Sequence, residues 1–592
     1  MILTPPRPVD DAASSRDPTR TPGYIRIRMT QITAHRARAA PAPGPPWIDR
    51  LMQTADRLRW GLFLLILLAY LMGFNGQWRI NEDSALYLTL ARNVASGDGY
   101  KLEGQPHDAV EPAGPYLFAG LMRAAGNHAI PHIQLAILLM SIVALAMVYA
   151  LVRLRFDRPH AVTLVVLLAA THLFYQHAFY VTTELPFLLG MLAFLIGYER
   201  LWRTPDRWTW TNWLLMAAGL MVMLTARPAA ITFLVAMGLT ALWFIIRGPH
   251  RLSHIMIAVM AVACFAGFKA IDPRRPTLAE PVAAEARIFD LFARKPAGLI
   301  EQIFTDRLPA LFEHATPMSL TSTALGVGFS SLFTLAIIVA CVLLTRKRAL
   351  WGVWLLATFV QMIVLYPHQR YFVPILPLLL VAVWAGMVRL CRAIAEPWSG
   401  VSAASVLALL MGWNIARISM LIIEQRSTPF LAHYEDGRFE TLQAMANHVR
   451  DAVPKADALV LASDPRAMHY FSGRPTIGPL DSDQQADEGV DALLDDYRRR
   501  INQSLHVYIV HDERPDLQWL IGALPLTLNQ RIAQTAINVE TELSSDAAAD
   551  TTRSLETDLG SGIVLYKAAI EAINPPQDPG IQLPTTPLAP GF

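Results

Sequence analysis

The sequence carries few charged residues. Asp, Glu, Lys and Arg make up 17% of its 592 residues, whereas a soluble globular protein typically has about 25%. Long apolar runs between residues 60 and 423 cause this deficit. Each run is roughly 17–23 residues long, enough for a helix to cross a hydrocarbon core of about 30 Å. The net charge is only +2, so the chain lacks the strong positive field expected of a nucleic-acid-binding protein.

Other absences narrow the function. The three cysteines, Cys264, Cys341 and Cys391, lie in or beside apolar runs, so neither a disulfide framework nor a zinc site is expected. The sequence has no Gly-Lys-Ser/Thr phosphate loop, no His-Glu-x-x-His and no Gly-x-Ser-x-Gly. This argues against P-loop nucleotidases, zinc proteases and α/β-hydrolases. We find no internal repeat, and we expect the first apolar run, near Trp60, to be an uncleaved signal-anchor.

The apolar runs predict a mainly α-helical, polytopic membrane protein with about eleven transmembrane helices. We expect residues 1–57, which are rich in Arg, Pro and Ala, to form a disordered cytoplasmic N-terminus. The predicted membrane module then covers residues 58–423. Its predicted spans are residues 60–75, 131–152, 159–178, 181–199, 210–226, 229–246, 253–271, 323–345, 349–366, 371–388 and 399–416.

Basic residues predict the orientation of these spans. Cytoplasmic loops carry an excess of Lys and Arg, and the segment before Trp60 holds ten arginines and no lysine. Basic connections then recur in one loop out of two, at residues 153–158, 200–207, 247–251, 346–348 and 389–392. This alternation predicts a cytoplasmic N-terminus and an extracytoplasmic C-terminus in a bacterial-type inner (plasma) membrane.

Residues 424–570 lack long apolar runs and alternate between helix and strand patterns. Residues 439–453 have the spacing of an amphipathic helix, and short apolar runs at 458–461, 506–510 and 562–566 are typical of strands. The alternation predicts a small extracytoplasmic α/β domain with a parallel sheet. A Pro-rich tail over residues 571–592 follows it.

Two acids, Glu82 and Asp83, follow the first predicted span. Leu86, Leu90 and Val94 come next at helical spacing, so we expect Asp83 near the N-terminus of a helix on the membrane surface. A helix N-terminus stabilises an ionised carboxylate, and such a group can act as a general base on a hydroxyl. A plain N-cap is the simpler interpretation of Asp83 taken alone.

Two further acids are predicted on the same, outer face. Glu111 precedes a second interfacial helix that ends near Gly126, and taken alone it is more simply a solvated loop residue. Glu184 lies at the end of a span, close in sequence to His177. Because a charge inside a membrane protein is costly unless it is paired or hydrated, we expect Glu184 either to face an aqueous cavity or to bond to a neighbouring helix.

Cations are predicted at the same face. Arg227 lies between two spans, Lys269 ends another, and His368, Arg370 and Tyr371 lie in the connection between the ninth and tenth spans. Cations at headgroup depth suit a phosphate, which Arg binds with two parallel hydrogen bonds. For each residue taken alone, the simpler interpretation is a side chain that extends to the lipid headgroups. The gathering of acids and bases from distant segments is what indicates a site.

These residues resemble the GT-C glycosyltransferases. The resemblance lies in Asn81-Glu82-Asp83-Ser84 with Tyr87, in Thr183-Glu184-Leu185-Pro186-Phe187 and in Arg370-Tyr371-Phe372-Val373-Pro374. It points to the dolichyl-phosphate-mannose protein mannosyltransferases and the lipid A aminoarabinose transferases. A tail segment that begins at Asp464 and continues with His469-Tyr470-Phe471-Ser472-Gly473-Arg474-Pro475 is similar to a stretch of their bacterial members.

The resemblance implies a glycosyltransferase that moves a sugar from a polyprenyl-phosphate donor to an extracytoplasmic lipid, glycan or protein. It implies Asp83 as the general base of an inverting reaction, with Glu82 as the alternative. The candidates for substrate binding are Glu111, Tyr87, Glu184 and His177. Those for lipid-phosphate binding are Arg227, Lys269, His368, Arg370 and Tyr371.

Two further expectations concern the acceptor and a metal. Loop 272–322 is too short for the large inserted luminal domain of the protein mannosyltransferases, which argues against a protein acceptor. Glu82 and Asp83 are candidate ligands of a divalent metal ion, whose presence stays open, and no other cofactor is implied.

Three other functions stay open at this point. A transporter or flippase usually has ionisable groups near the membrane midplane and repeated halves with broken helices, whereas the span centres here are almost free of charge. A glycan ligase or an oligosaccharyltransferase-like enzyme would share the topology and the lipid donor. A non-catalytic anchor for the soluble domain would not need eleven spans.

Overall fold

The fold is described here from a computed structural model. Glu82 and some other residues inside helices and strands are described by their backbone alone. The Pro-rich tail, His368 and residues 1–45 lie outside the described residues. The prediction of N-terminal disorder over residues 1–57 is wrong for its last part, because Pro46–Arg57 forms a helix. The described residues are 46–76, 82–102, 105–107, 110–126, 129–203, 209–247, 251–272, 303–309, 311, 324–345, 349–365, 369–393, 411–423, 438–453, 458–462, 465–478, 495, 497–501, 506–511, 526–535 and 563–570.

Helices dominate the part of the chain before residue 424. They are α1 (Pro46–Arg57), α2 (Arg59–Gly73), α3 (Glu82–Ser96), α4 (Ala113–Ala125), α5 (Ala129–Arg153), α6 (Arg158–Ala169), α7 (His172–His177), α8 (Glu184–Arg203), α9 (Trp210–Ala226), α10 (Ala229–Arg247), α11 (Arg251–Ile271), α12 (Ala324–Thr345), α13 (Ala349–Leu365), α14 (Leu376–Ala393) and α15 (Met411–Ile423).

Eleven of these helices are strongly apolar, counted within the described residues. Four of them, α5, α8, α10 and α11, contain at least 18 residues and are apolar enough to cross a membrane. Shorter apolar stretches occur in α2, α6, α9, α12, α13, α14 and α15. Ten of the predicted spans overlap an apolar helix over most of their length, whereas the last, 399–416, overlaps α15 only at 411–416, because residues 394–410 lie outside the described residues. The prediction of a mainly α-helical polytopic membrane protein is confirmed.

The third predicted span is not one continuous helix. It breaks at Ala170 and Thr171 into α6 and α7. Partners from other helices bond to the backbone groups at the break: His172 N–H donates to Asn414 Oδ1 of α15 (3.0 Å) and Tyr70 Oη donates to the Ala169 carbonyl (3.1 Å). Because these bonds replace lost helical ones, the break is tolerated within an apolar bundle.

Helix α8 forms the centre of the bundle. Its most apolar window is 78% buried inside the protein, against 28% for α11. It packs closely against α9, because a Cβ added at Gly219 would lie 2.5 Å from the Gly190 carbonyl oxygen. Small residues allow such close backbone approach between membrane helices. The contact fixes Glu184, the first residue of α8, relative to Arg227, the residue after α9.

Helices α3 and α4 lie between α2 and α5 in the chain. The Leu86, Leu90 and Val94 face of α3 is buried, as the spacing predicts, whereas Tyr116 and Leu117 of α4 are 46% and 40% exposed. Exposed apolar side chains on α4 are compatible with the predicted interfacial helix. The two helices are joined through a short antiparallel pair, β1 (Lys101–Leu102) and β2 (Gln105–Pro106).

The C-terminal region contains two helices and a five-stranded sheet among its described residues. The helices are α16 (Arg438–Ala452) and α17 (Pro465–Ser472). The strands are β3 (Ala458–Leu461), β4 (Thr476–Ile477), β5 (His506–His511), β6 (Leu526–Thr535) and β7 (Ile563–Ile570). The predicted α/β character is confirmed, and the predicted helix at 439–453 and the three predicted strands coincide with α16, β3, β5 and β7.

The sheet itself is mixed, so the prediction of a parallel sheet is wrong. The strand order is β4-β3-β5-β7-β6, in which β3 pairs in parallel with β4 and β5, while β7 is antiparallel to β5 and β6. Strand β6 was not predicted, because its alternating polar and apolar residues, Leu-Thr-Leu-Asn-Gln-Arg, differ from the continuous apolar runs of β3 and β5. Such alternation is typical of an antiparallel strand with one solvated face.

Candidate active site

The first turn of α3 presents one acid to two arginines. The Asp83 carboxylate forms an ion pair with Arg370, and Arg466 Nη1 lies 3.5 Å from Asp83 Oδ1. The three side chains are between 26% and 31% exposed, so the group is open to solvent. A carboxylate that joins three distant segments does more than cap its own helix, which favours the site interpretation of Asp83.

A second ion pair lies deeper, between Glu184 and Arg227. The Glu184 side chain is 2% exposed and that of Arg227 11%. Glu184 therefore bonds to a neighbouring helix segment, which was one of its two predicted environments. Because each partner is desolvated, each depends on the other for charge compensation.

Tyr371 connects the two ion pairs. The guanidinium carbons of Arg227 and Arg370 each lie 5.3 Å from the centroid of its ring. Cations over an aromatic face are attracted by the ring quadrupole. Tyr371 follows Arg370 in a 3₁₀ turn, Gln369–Phe372, between α13 and α14, so this turn brings both arginines to one aromatic ring.

Tyr87 approaches the same place from α3. Its hydroxyl lies 3.4 Å from Thr183 Oγ1, directly before α8. Burial raises the pKa of Tyr87 to about 12, with Arg227 opposing and Glu184 and Glu111 adding to the increase. The phenol is therefore neutral at physiological pH. Tyr87 lies one helical turn after Asp83, so α3 carries the acid of the first ion pair and also lies beside the second.

Glu111 also belongs to this region. Only 8% of it is exposed, so its interpretation as a solvated loop residue is wrong. The loop before it is fixed by Tyr100, whose hydroxyl donates to the Val110 carbonyl at 2.8 Å. Helix α4 then packs tightly against Thr183, because a Cβ at Gly114 would lie 2.6 Å from Thr183 Cγ2. Only glycine at position 114 permits this contact without a shift.

The other predicted site residues lie near the two ion pairs or outside the described residues. His177 is buried, with its Nδ1 2.9 Å from the Leu173 carbonyl oxygen, and it contributes to the electrostatic surroundings of Glu184. Lys269 Nζ lies 5.2 Å from the ring centroid of Phe265, in its own helix. Its part in phosphate binding stays a prediction, as do those of His368 and Glu82.

One residue of the cluster, Arg466, was missed by the sequence reasoning. The signal for it was its place between Asp464 and His469, inside the tail segment that resembles bacterial GT-C members. As for a metal, the described residues contain no group of three or more His, Cys, Asp and Glu side chains that fits an ion. The Glu82 side chain lies outside the described residues, so a metal at Glu82 and Asp83 stays an open expectation.

Comparison with known proteins gives a partial family match. Residues 106–271 match the family model of dolichyl-phosphate-mannose-protein mannosyltransferases, which is less than a third of the chain. A search of curated proteins finds no match.

Solved structures supply a match to the fold. The crystal structure of the apo oligosaccharyltransferase from Archaeoglobus fulgidus has a TM-score of 0.51 at 14% identity, covering 77% of this chain and 69% of its own. ArnT from Cupriavidus metallidurans, in the apo state, has a TM-score of 0.46 at 14% identity, covering 79% and 95%. ArnT bound to undecaprenyl phosphate has a TM-score of 0.47 at 15% identity, covering 78% and 95%.

Residues 106–271 are therefore similar to the mannosyltransferase family, and the fold is similar to that of the archaeal oligosaccharyltransferase. Both matches agree with the resemblance to the GT-C glycosyltransferases seen in the sequence. The matched segment, residues 106–271, contains Glu111, Glu184 and Arg227 but ends before Arg370 and Arg466. The Asp83 cluster is therefore defined by geometry rather than by the match.

The buried pair makes a prediction about stability. Arg227→Met and Glu184→Gln each leave one charge buried and unpaired, so each should destabilise the protein by about 3–5 kcal/mol. The double variant should recover part of that loss, because neither charge remains. Thermal unfolding of the purified protein in detergent measures all three.

A matched control is Asp451→Asn. Asp451 pairs with Arg450 at 3.2 Å, but the side chains are 71% and 52% exposed, so its loss should cost less than about 1 kcal/mol. Two results would contradict the interpretation of a coupled buried pair. One is a loss of stability in the double variant that equals the sum of the losses in the two single variants. The other is a loss in the control as large as that in Glu184→Gln.

Proposed function

We propose that this protein transfers a sugar from a polyprenyl-phosphate donor to an extracytoplasmic acceptor, with Asp83 as the general base. The observation that carries the proposal is the solvent-open Asp83 carboxylate beside Arg370, on a GT-C fold. The donor class comes from the matched family, whose name specifies dolichyl-phosphate mannose. The sugar need not be mannose, since the match covers only part of the chain.

The chemistry follows from charge. In a direct displacement, the acceptor oxygen forms a bond to the anomeric carbon while the bond from that carbon to the donor phosphate oxygen breaks, which inverts the anomeric centre. The acceptor proton passes to Asp83, and the bonding electrons leave with the polyprenyl phosphate. Arg370 stabilises the charge that develops on this leaving group.

The other acid at the centre, Glu184, has a different part in this proposal. Its side chain is 2% exposed and bound to Arg227, so an acceptor hydroxyl reaches it less readily than it reaches Asp83. We assign Glu184 to the positioning of Arg227, which in turn lies over Tyr371. Tyr87 and Glu111 then line the substrate side of the pair, as hydrogen-bonding groups rather than bases.

Transfer of a whole glycan is the second candidate. The fold match to an oligosaccharyltransferase favours it, although at 14% identity that match concerns the fold alone. Both candidates use the same carboxylate and the same leaving group, and they differ in the size of the group that is moved. The mass of the transferred group separates them.

Asp83→Asn tests the base. This change keeps the shape but removes the proton acceptor, so transfer should fall by about 10²–10⁴-fold while expression and membrane insertion are retained. The measurement is mass spectrometry of surface glycans and of polyprenyl-phosphate sugars in cells of the native host. Cells that lack the protein should lose one glycan feature and accumulate its lipid-linked donor, and the Asp83→Asn gene should fail to restore it.

The control is Asp98→Asn in the same loop. Asp98 is exposed and accepts a hydrogen bond from Ser96 Oγ at 2.6 Å, and this variant should restore the glycan fully. Restoration by Asp83→Asn would remove Asp83 from the mechanism. If cells with and without the protein have identical glycans and lipid-linked sugars, glycosyl transfer itself is the wrong function.

The proposed acceptor side depends on orientation. The basic loops predict that the C-terminus lies outside the cytoplasm. A periplasmic reporter, such as an alkaline phosphatase, should therefore be active when fused after Phe592 and inactive when fused after Arg247. Activity in the reverse pattern would place the Asp83 cluster on the cytoplasmic side and overturn the extracytoplasmic assignment.

A further inference from the structure

The C-terminal region touches the Asp83 helix at two points. Helix α17 lies against α3, where Arg466 approaches Asp83 and, farther along, Arg92 Nη1 donates to the Tyr470 carbonyl at 2.6 Å. The Arg92 guanidinium also lies 5.0 Å from the centroid of the Tyr470 ring. These contacts join residues almost 400 positions apart, so the soluble region is docked directly on the helix that carries the proposed base.

The local structure around α17 explains why Arg466 lies close to Asp83. Helix α17 is the crossover between the parallel strands β3 and β4, so Arg466 lies just beyond the carboxyl end of β3. In open α/β sheets, ligands bind at the carboxyl ends of the strands. Arg466 therefore occupies the part of the C-terminal domain where a ligand-binding residue is expected.

The segment His469–Pro475 fixes the end of α17. Gly473 has a φ of 67° and its N–H donates to the His469 carbonyl at 2.8 Å, which is a common way to end a helix. Arg474 Nε donates to the Val453 carbonyl at 2.7 Å, which ties this end to the residue after α16. The segment that resembles bacterial GT-C members thus holds α17 in register with α3.

Two guanidinium groups meet one carboxylate at this contact. Arg370 and Arg466 both pair with Asp83, and all three side chains are partly exposed. An anion that enters here can take over hydrogen bonds from Asp83, because a phosphate accepts from more than one guanidinium.

We propose that Arg466 is a phosphate-binding residue of the donor site, supplied by the C-terminal domain. This inference rests on the proposed function. In the empty protein Asp83 holds Arg370 and Arg466. When the lipid phosphate binds, both arginines turn to the phosphate, and the carboxylate is released to accept the acceptor proton. The site is therefore complete only when the C-terminal domain is docked.

Binding of undecaprenyl phosphate to the full-length protein in nanodiscs tests this proposal without an acceptor. Arg466→Gln should weaken binding about tenfold, which corresponds to the loss of one charge-assisted hydrogen bond. Arg466→Lys keeps the charge and should lie between the wild type and the Gln variant. Asp83→Asn removes the competitor for the arginines and should tighten binding.

The matched control is Arg498→Gln. Arg498 lies in the same domain, is 42% exposed and pairs with Asp495 at 2.9 Å, so it produces the same change in net charge. Its affinity should equal that of the wild type. An equal loss of affinity in Arg498→Gln and Arg466→Gln would show that only the net charge of the domain matters, which would overturn the proposal. Unchanged binding by Arg466→Gln would overturn it too.

Two further outcomes separate this inference from the proposed function. If the wild type does not bind undecaprenyl phosphate at all, the polyprenyl-phosphate donor is wrong, and the assignment of Arg466 fails with it. If phosphatidylglycerol competes as well as undecaprenyl phosphate does, the arginines bind lipid headgroups in general, which overturns the donor site. Melting temperatures of all variants show whether any loss reflects unfolding.

Discussion

The Asp83–Arg370 ion pair is the interaction on which the rest of the site depends. It joins residues 287 positions apart, and so it requires that α3 and the turn between α13 and α14 meet. The turn is held by its own packing, since Phe372 is buried with its ring 6.1 Å from that of Phe359. The same turn brings Tyr371 beside Arg227, whose pairing with Glu184 is fixed by the packing of α8 against α9.

Among the described residues of the bundle, the ion pairs lie near helix ends. At the end opposite Asp83, Arg155 pairs with Glu199 and Arg158 pairs with Asp56 at 2.7 Å. Roughly 22 Å of α8 separates Glu184 from Glu199 at 1.5 Å per residue. Transporters place ionisable groups along the pathway between the two faces. Two separate charged layers with apolar packing between them fit an enzyme with a site on one face better.

Features with a local cause could be predicted from the sequence. Hydropathy located the eleven apolar helices, and the spacing of Leu86, Leu90 and Val94 located α3. The acid on α3 and the arginine after the ninth span could be named as candidates, because each lies where a span ends. The resemblance to the GT-C glycosyltransferases then implied a role for each of these two residues.

Features that depend on distant contacts could not be predicted. The break at Ala170 is tolerated because Asn414, more than 240 residues away, bonds to His172. Strand β7 pairs in antiparallel with β5 and β6, which lie more than 50 and about 30 residues before it in the chain. Arg466 has no distinguishing pattern of its own. Its importance arises only when the C-terminal domain docks on α3.

The most direct test of this account is a cryo-EM structure of the protein in nanodiscs with undecaprenyl phosphate. The account predicts density for the phosphate in contact with Arg370, next to Asp83, and on the same face as α17. A phosphate bound instead at the opposite end of the bundle, near Arg155 and Arg158, would contradict it.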